Sequence, residues 1–406
     1  MKLQYPLATA LSIIVIASVY GDDTSLLSPE KQHYYEQQFE QINASYEKLH
    51  YDWLSPINLK TSSIYEKTAA YGAKDTRQNL SAGISQDIFR SGGITYAIDY
   101  AHAKKEADTL TLGKDISTIN QQLIAAVLTY RKNAIALEQS ALRLKNAQIE
   151  IFLKRKQYEA GDIDITFLNN ALMNQSGELK NNTSLRYSLS QQKFEAAKLS
   201  DHAIDSITLP TFTLTQKEDF LEEGWDIRTS QALAGSAAQQ YGQIKSSYLP
   251  KLTLIADAGY QRFDAQSPLA ADYRGNFYDA GLQLSMPLAY NSSASTQEAQ
   301  AVYLKQQALT ADAKRQMSAA YEQTVALVES YKRTISITQE NLKYYNELLG
   351  ATKAAVNAGY KAGYDLQTLQ NTYAIEELEI KIHEINIQIQ LSQLHYQMRH
   401  PEESKL

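Results

Sequence analysis

Apolar residues recur along this chain with two different periods. From Ile116 to Ile151 the apolar or small positions run Ile116, Ile119, Leu123, Val127, Tyr130, Ala134, Leu137, Ala141, Leu144, Gln148 and Ile151. The steps are mostly threes and fours, a period near ~3.5 that marks a coiled-coil seam. A second tract does the same with Val328, Tyr331, Ile335, Thr338, Leu342, Tyr345, Leu349, Thr352 and Val356. Each is followed by a returning helical pattern. The first carries Ile165, Leu168, Leu172, Gln175 and Leu179; the second carries Ile375, Leu378, Ile382, Ile385 and Ile389. From Gly93 to Gln157 there is no proline, and Gly113 is the only internal glycine. That predicts roughly 100 Å of helix at 1.5 Å per residue.

Four other segments alternate with period two, the signature of strands. Leu80, Ala82, Ile84 and Ile88 interleave with Ser81, Gly83, Ser85 and Asp87. Leu252, Leu254, Ala256, Ala258 and Tyr260 interleave with Thr253, Asp257, Gly259 and Gln261. Ala280, Leu282, Leu284, Met286 and Leu288 interleave with Gly281, Gln283 and Ser285. A weaker pattern sets Ile57, Leu59 and Tyr65 against Asn58, Lys60, Ser62 and Glu66. Each segment reaches the roughly 9–11 residues of a tilted membrane strand. An ordinary half-buried sheet gives the same alternation, so the pattern alone leaves both open. The intervening loops, Tyr71–Asn79 and Arg262–Phe277, are polar.

The two kinds of segment come in one order, twice. Strands, a long helical tract and a glycine turn at Gly161 recur about 200 residues later, ending at a turn around Gly359 and Gly363. The predicted layout is a signal peptide over 1–21 and a first repeat over 22–202. Each repeat opens with a helix; the first then has strands at 57–71 and 79–90 and long helices at 93–157 and 165–202. A linker covers 203–223. The second repeat covers 224–399, with strands at 249–263 and 277–289 and helices at 293–357 and 364–399, and 400–406 is a tail. At the turns, Asp164 or Thr166 and then Asp365 are the expected helix caps.

Composition narrows the function. Lys2, an apolar run from Leu7 to Val19 and Val19-Tyr20-Gly21 before Asp22 read as a cleaved secretory signal. No other stretch is apolar enough for a transmembrane helix, which leaves a β-barrel open because its alternating strands average out. There is no cysteine, so disulfides, thiolate metal sites and thiol catalysis are excluded. The net charge of −6 argues against nucleic acid. The seven histidines are scattered, and Gly92-Gly93 lacks the Lys-Ser/Thr continuation of a phosphate loop. We expect no enzyme, no catalytic residue, no cofactor and no metal. Among the 28 tyrosines, Tyr65, Tyr260 and Tyr278 suit a membrane-interface girdle.

Four strands cannot close a barrel, and an open edge in lipid leaves backbone groups unpaired. If the strands enter a membrane, several chains must share one barrel. The long helices fit either the wall of a tube or a solvated, periplasmic structural or adaptor coiled coil.

At this point the chain resembles the TolC family of outer-membrane efflux proteins. The resemblance covers nearly the whole mature chain. It is carried by Ser247-Tyr248-Leu249-Pro250-Lys251-Leu252, by Gly281-Leu282-Gln283-Leu284-Ser285-Met286-Pro287-Leu288, and by Tyr158-Glu159-Ala160-Gly161 followed by Ile165-Thr166-Phe167-Leu168. It implies an α+β membrane protein. Four strands per chain build a trimeric 12-stranded β-barrel in the outer membrane, continued by a long periplasmic α-helical barrel. It implies a homotrimer, a periplasmic adaptor (membrane fusion) protein and an inner-membrane RND or ABC-type transporter as partners, together with outer-membrane lipid. The expected function is the exit duct of a tripartite efflux system for small molecules; a type I protein-secretion duct shares the fold. Lipid-facing residues would include Leu252, Leu254, Leu282 and Leu284. The family often narrows the periplasmic tip with acidic residues. Counting from Gly359 places Asp365 there, with Thr368 where a second acid would stand; counting from Gly363 places Leu369 there instead. In the first count Phe167 occupies the matching place of the first turn.

Overall fold

The computed structural model describes residues 26–67, 74–265 and 271–400. The expected signal peptide, Tyr71 and positions 401–406 of the tail lie outside them. Helix α1 (Pro29–Tyr51) precedes strands β1 (Asn58–Lys67) and β2 (Lys74–Phe89), then helices α2 (Gly93–Glu159) and α3 (Ile165–Ala197). Next come α4 (Lys217–Glu222), α5 (Trp225–Ser247), β3 (Lys251–Asp264), β4 (Tyr273–Ser285), α6 (Ser292–Asn357) and α7 (Gly363–Tyr396). The chain divides into two compact units. One takes Gln38–Thr111 and Arg228–Ala313, and the other takes the remaining described residues.

The first unit named holds the sheet, antiparallel throughout, in the order β1-β2-β3-β4. Both hairpin loops are shorter than the sequence suggests. Strand β2 begins at Lys74 rather than 79, β3 runs to Asp264, and β4 begins at Tyr273 rather than 277. Hydrogen-bond pairing continues past the point where apolar alternation stops, because the ladder needs only backbone groups. Aromatic contacts hold that end: Phe263 stacks on Tyr273 at 5.4 Å, with Arg77 lying 5.6 Å from the Phe263 ring. At the other end β4 stops at Ser285 rather than 289, as Pro287 supplies no backbone donor. The register shifts between Asp87 and Phe89, so Phe89 and not Ile88 lies opposite Leu252. The period-two reading of β2 therefore fails at its last step, which a bulge corrects.

In the second unit α2 lies between partners. Asn182 of α3 bonds Ser140 at 3.4 Å, and Lys193 sits 5.3 Å from the Tyr130 ring. On its other side Gln139 donates to Glu379 at 2.6 Å and Asn371 of α7 donates to Asn146 at 2.8 Å. The core gathers Ile124, Leu128, Val328 and Leu391 around Phe212. Phe212 comes from the expected linker, whose backbone N–H donates to Gln388 Oε1 at 2.8 Å. That linker also contains α4, whose buried Phe220 meets Tyr321 at 5.5 Å.

Helices α3 and α7 end at 197 and 396 rather than 202 and 399. Tertiary pairing stops α7: Met398 bridges Gly224, Trp225 N donates to Gln397 O at 3.0 Å, and Arg399 N donates to Glu223 O at 2.8 Å. Beside this clasp, His395 lies 3.9 Å from His400 and 5.2 Å from Phe212, ring to ring. Burial, and secondarily the charge of His400, hold the His395 pKa down at about 4. The folded form keeps this imidazole neutral while the unfolded chain protonates it near the ordinary pH ~6.5. The unfolded state therefore binds more protons between about pH 6.5 and 4, and stability falls as pH drops through that window. Thermal unfolding at pH 7 and pH 5 should show a smaller loss of Tm in His395→Gln than in the parent. An equal loss in both would remove His395 as the cause.

Candidate functional site: a two-faced sheet and a helix-turn tip

The register sorts the strand residues into two faces. On one, Leu252 lies opposite Leu284, Leu254 opposite Leu282, Ala256 opposite Ala280 and Ala258 opposite Tyr278. Ile84, Ala82 and Leu80 of β2 extend these rows to Ala256, Ala258 and Tyr260, and Leu59 of β1 lies opposite Ala82. Most of these side chains are uncovered within the chain: Leu282 is 64% exposed, Leu284 73% and Tyr278 88%. The other face carries Ser81, Gly83, Ser85, Thr253, Asp257, Gln261, Asp279 and Gln283, with Ile255 among them and Phe263, Phe277 and Tyr273 toward the hairpin end. Contiguous rows of exposed apolar side chains on one side of a sheet are unusual in water and mark contact with lipid or protein.

Two details depart from simple alternation. Gln86 lies on the apolar face opposite Leu254, yet its amide is used: Ser55 N donates to Oε1 at 2.8 Å, and Nε2 donates to Trp53 O at 3.1 Å. It ties down the segment that leads into β1. Thr253, on the polar face, is buried and its hydroxyl donates to Asp87 at 2.6 Å. Asp87 is also near Lys251 Nζ and Arg90 Nε, at 3.4 Å each. This charged cluster was not visible in the sequence, because the strand pairing assembles it from residues more than 160 positions apart.

The outer strands β1 and β4 each have one unpaired edge among the described residues. Apolar stripes also lie exposed on the helices. Helix α3 shows Ile165, Leu172 and Leu179 and a second row of Met173, Tyr187 and Phe194. Helix α6 shows Val302 and Leu309, then Ile337 and Tyr344. The seven-residue spacing of these rows was in the sequence; that nothing among the described residues covers them was not.

At the helix turns, Gly161 and Gly359 have φ of 80° and 78°, the left-handed conformation that a glycine adopts at no steric cost. The hydrogen bonds match: Asp162 N donates to Gln157 O and Tyr360 N to Ala355 O, each at 2.9 Å. Both are Schellman closures. Gly161 and Gly359 are therefore equivalent turn residues, and Gly363 is not one: it is the first residue of α7. Asp164 caps α3, accepting from Thr166 N at 2.8 Å, and those Thr166 hydrogen bonds hold its carboxyl below the ordinary range. Asp365 does not cap α7. The cap position is Ala362, which has no side-chain acceptor, and Asp365 lies one turn inside. Asp365, Thr368 and Leu369 share a cavity of about 1090 Å³ with Lys361 and with Arg143 and Lys154 of α2. Asp365 is exposed, while Thr368 is half-buried and its carbonyl accepts from Asn146 Nδ2 at 3.4 Å. Among the described residues no helix is long and apolar enough to cross a membrane.

Residues 218–395 match the outer membrane efflux protein family. That match lies in the second half of the chain. Its fold extends the likeness over almost the whole length. The outer membrane protein VceC of Vibrio cholerae superposes with a TM-score of 0.70 at 17% identity, covering 96% of each chain. The CmeC outer membrane channel of Campylobacter jejuni gives 0.69 at 11% identity, covering 94% of this chain and 86% of its own. The open-state MtrE outer membrane channel of Neisseria gonorrhoeae gives 0.65 at 14%, covering 94% and 88%. No curated protein matches the chain by sequence. The resemblance to outer-membrane efflux proteins of the TolC family is thus confirmed. Members of the efflux-protein family are channels of the outer membrane with periplasmic helices, not enzymes.

Proposed function

We propose that this protein is the exit duct of a tripartite efflux system, assembled as a homotrimer. The observation that carries the reading is the two-faced sheet with two open edges. In lipid every strand edge must be paired. Pairing β1 of one chain with β4 of the next closes the ring, and three chains of four strands make a 12-stranded barrel. The apolar face then meets lipid and the polar face lines the lumen. The uncovered stripes on α3 and α6 serve the same closure in the helical part, where neighbouring chains complete the wall of the tube. A soluble coiled-coil protein has no use for an exposed apolar sheet face.

The duct carries out no chemistry; it supplies a polar path and depends on an inner-membrane RND or ABC-type pump, reached through a periplasmic adaptor, for energy and choice of cargo. Small toxic solutes are the cargo class this reading assigns. At the tip, Asp365 of each chain would bring three carboxylates together. The two halves of the chain would be structural repeats, each giving two strands and two long helices to the wall.

The chain has no native cysteine, which makes closure directly testable. A variant with one cysteine in β1 and one in β4 should give a covalent trimer when outer membranes are treated with a bifunctional thiol reagent. A monomeric product, or recovery of the protein from the soluble periplasm, would overturn the duct.

A further inference from the structure

Helices α1 and α2 bring together a group of side chains that the duct does not use. Tyr46 and His50 lie one turn apart on α1, and His102 faces them from α2. The Tyr46 hydroxyl lies 3.5 Å from His50 Nδ1 and 3.4 Å from His102 Nε2. One nitrogen of each imidazole therefore faces the same small gap. The rings are 5.4 Å apart between centroids and nearly perpendicular, at 82°.

We infer that Tyr46, His50 and His102 form a binding site for a divalent transition-metal ion. An ion about 2.0–2.1 Å from one nitrogen of each ring lies ~3.2 Å from each centroid, so the observed separation corresponds to an N–metal–N angle of ~115°, near tetrahedral. The Tyr46 contacts are long for hydrogen bonds, at 3.4 and 3.5 Å, and leave the gap between oxygen and nitrogens that an ion would fill. Tyr51 packs edge-on against His50 at 4.8 Å and fixes its ring. The Lys105 ammonium lies over the Tyr46 ring at 4.7 Å. Asp99 and Glu106 stand one turn to either side of His102 on α2. No three of His, Cys, Asp and Glu converge on a metal position among the described residues. The donors are accordingly two imidazoles and a phenol oxygen, with water completing the shell. Nitrogen-rich, partly open sites of this kind hold Cu²⁺ most tightly among the common divalent ions, followed by Ni²⁺ and Zn²⁺. Such an ion would cross-link α1 to α2.

The test uses the untagged full chain, purified from membranes in detergent and titrated with Cu²⁺ alone. The expected result is one ion per chain with an electron paramagnetic resonance spectrum split by two imidazole nitrogens. His50→Ala and His102→Ala should each weaken binding at least tenfold and reduce the splitting to one nitrogen. Tyr46→Phe should keep both nitrogens. His102→Gln, which preserves side-chain bulk, guards against a folding defect, and each variant should still assemble in the outer membrane. Zn²⁺ should raise the Tm of the parent but not of the double histidine variant. Unchanged stoichiometry and spectrum in the double variant would place the ion elsewhere on the chain and overturn the site. The site does not depend on what the protein transports, and loss of membrane assembly in a variant would be read apart from loss of copper binding.

Discussion

Replacing Leu282 with arginine is expected to remove the protein from the outer membrane, while arginine at the adjacent Gln283 is tolerated. The two residues are neighbours on β4 and both are exposed in the single chain. They differ in face: Leu282 pairs with Leu254 on the apolar side and Gln283 with Thr253 on the polar side. An arginine on the lipid face of a barrel costs about 2–4 kcal/mol at mid-bilayer and less toward the interfaces, and a lumen-facing one avoids that cost. The site lies away from the strand's centre, so ~2 kcal/mol is the expected loss for Leu282→Arg, roughly a 30-fold shift in the assembly equilibrium. Heat-modifiability of the assembled barrel on a gel and its yield in the outer-membrane fraction measure it. Gln283 is a better control than Thr253, whose hydroxyl is committed to Asp87. Equal loss from both substitutions would mean that the faces are assigned wrongly.

The second large effect is expected at the tip. The Asp365 side chain has no hydrogen bond or ion pair among the described residues and caps no helix, and its backbone N–H bond to Ala362 O survives substitution, so Asp365→Ala should leave folding nearly unchanged. Its effect should appear in ion flow. In the proposed trimer, three Asp365 carboxylates would ring the tip, attract cations and hold multivalent ones, because like charges close together gain from a shared counterion. In planar bilayers Asp365→Ala should lower cation selectivity and weaken block by trivalent cations by about tenfold, the loss of ~1.4 kcal/mol of ion binding. Thr368→Ala serves as the comparison, since its carbonyl rather than its hydroxyl meets Asn146. Conductance and block indistinguishable from the parent would show that the constriction lies elsewhere.

Much of the architecture was legible because the two periods are strong and separate. Alternation over Leu252–Tyr260, broken only at Ile255, identified a strand, and seam positions from Ile116 to Ile151 identified a helix that proved to be 67 residues long. Boundaries were less legible wherever polar residues carry on an element. Lys74-Asp75-Thr76-Arg77 reads as loop, yet it pairs with β1 because backbone hydrogen bonds do not depend on side-chain polarity. The Asp87/Phe89 bulge has no signal in composition at all. At the tip, Tyr360-Lys361-Ala362-Gly363 copies the first turn more closely than Asn357-Ala358-Gly359 does. Backbone conformation shows that the likeness misleads: Gly359 takes the left-handed position, while Gly363 already belongs to a helix.

The sequence by itself determined the strands and long helices and their order, the absence of thiol chemistry, and the fact that one face of β2, β3 and β4 is mainly apolar. These follow from local preference and from the periods of helix and strand, which each segment carries alone. Only the tertiary structure decided what meets what. Cross-strand register placed Thr253 on Asp87, and α1 against α2 drew His50 and His102 toward one oxygen. The same structure left β1, β4 and the stripes of α3 uncovered. Such contacts join residues far apart in the chain, so they depend on the exact rotation and offset of whole elements, which no local pattern encodes.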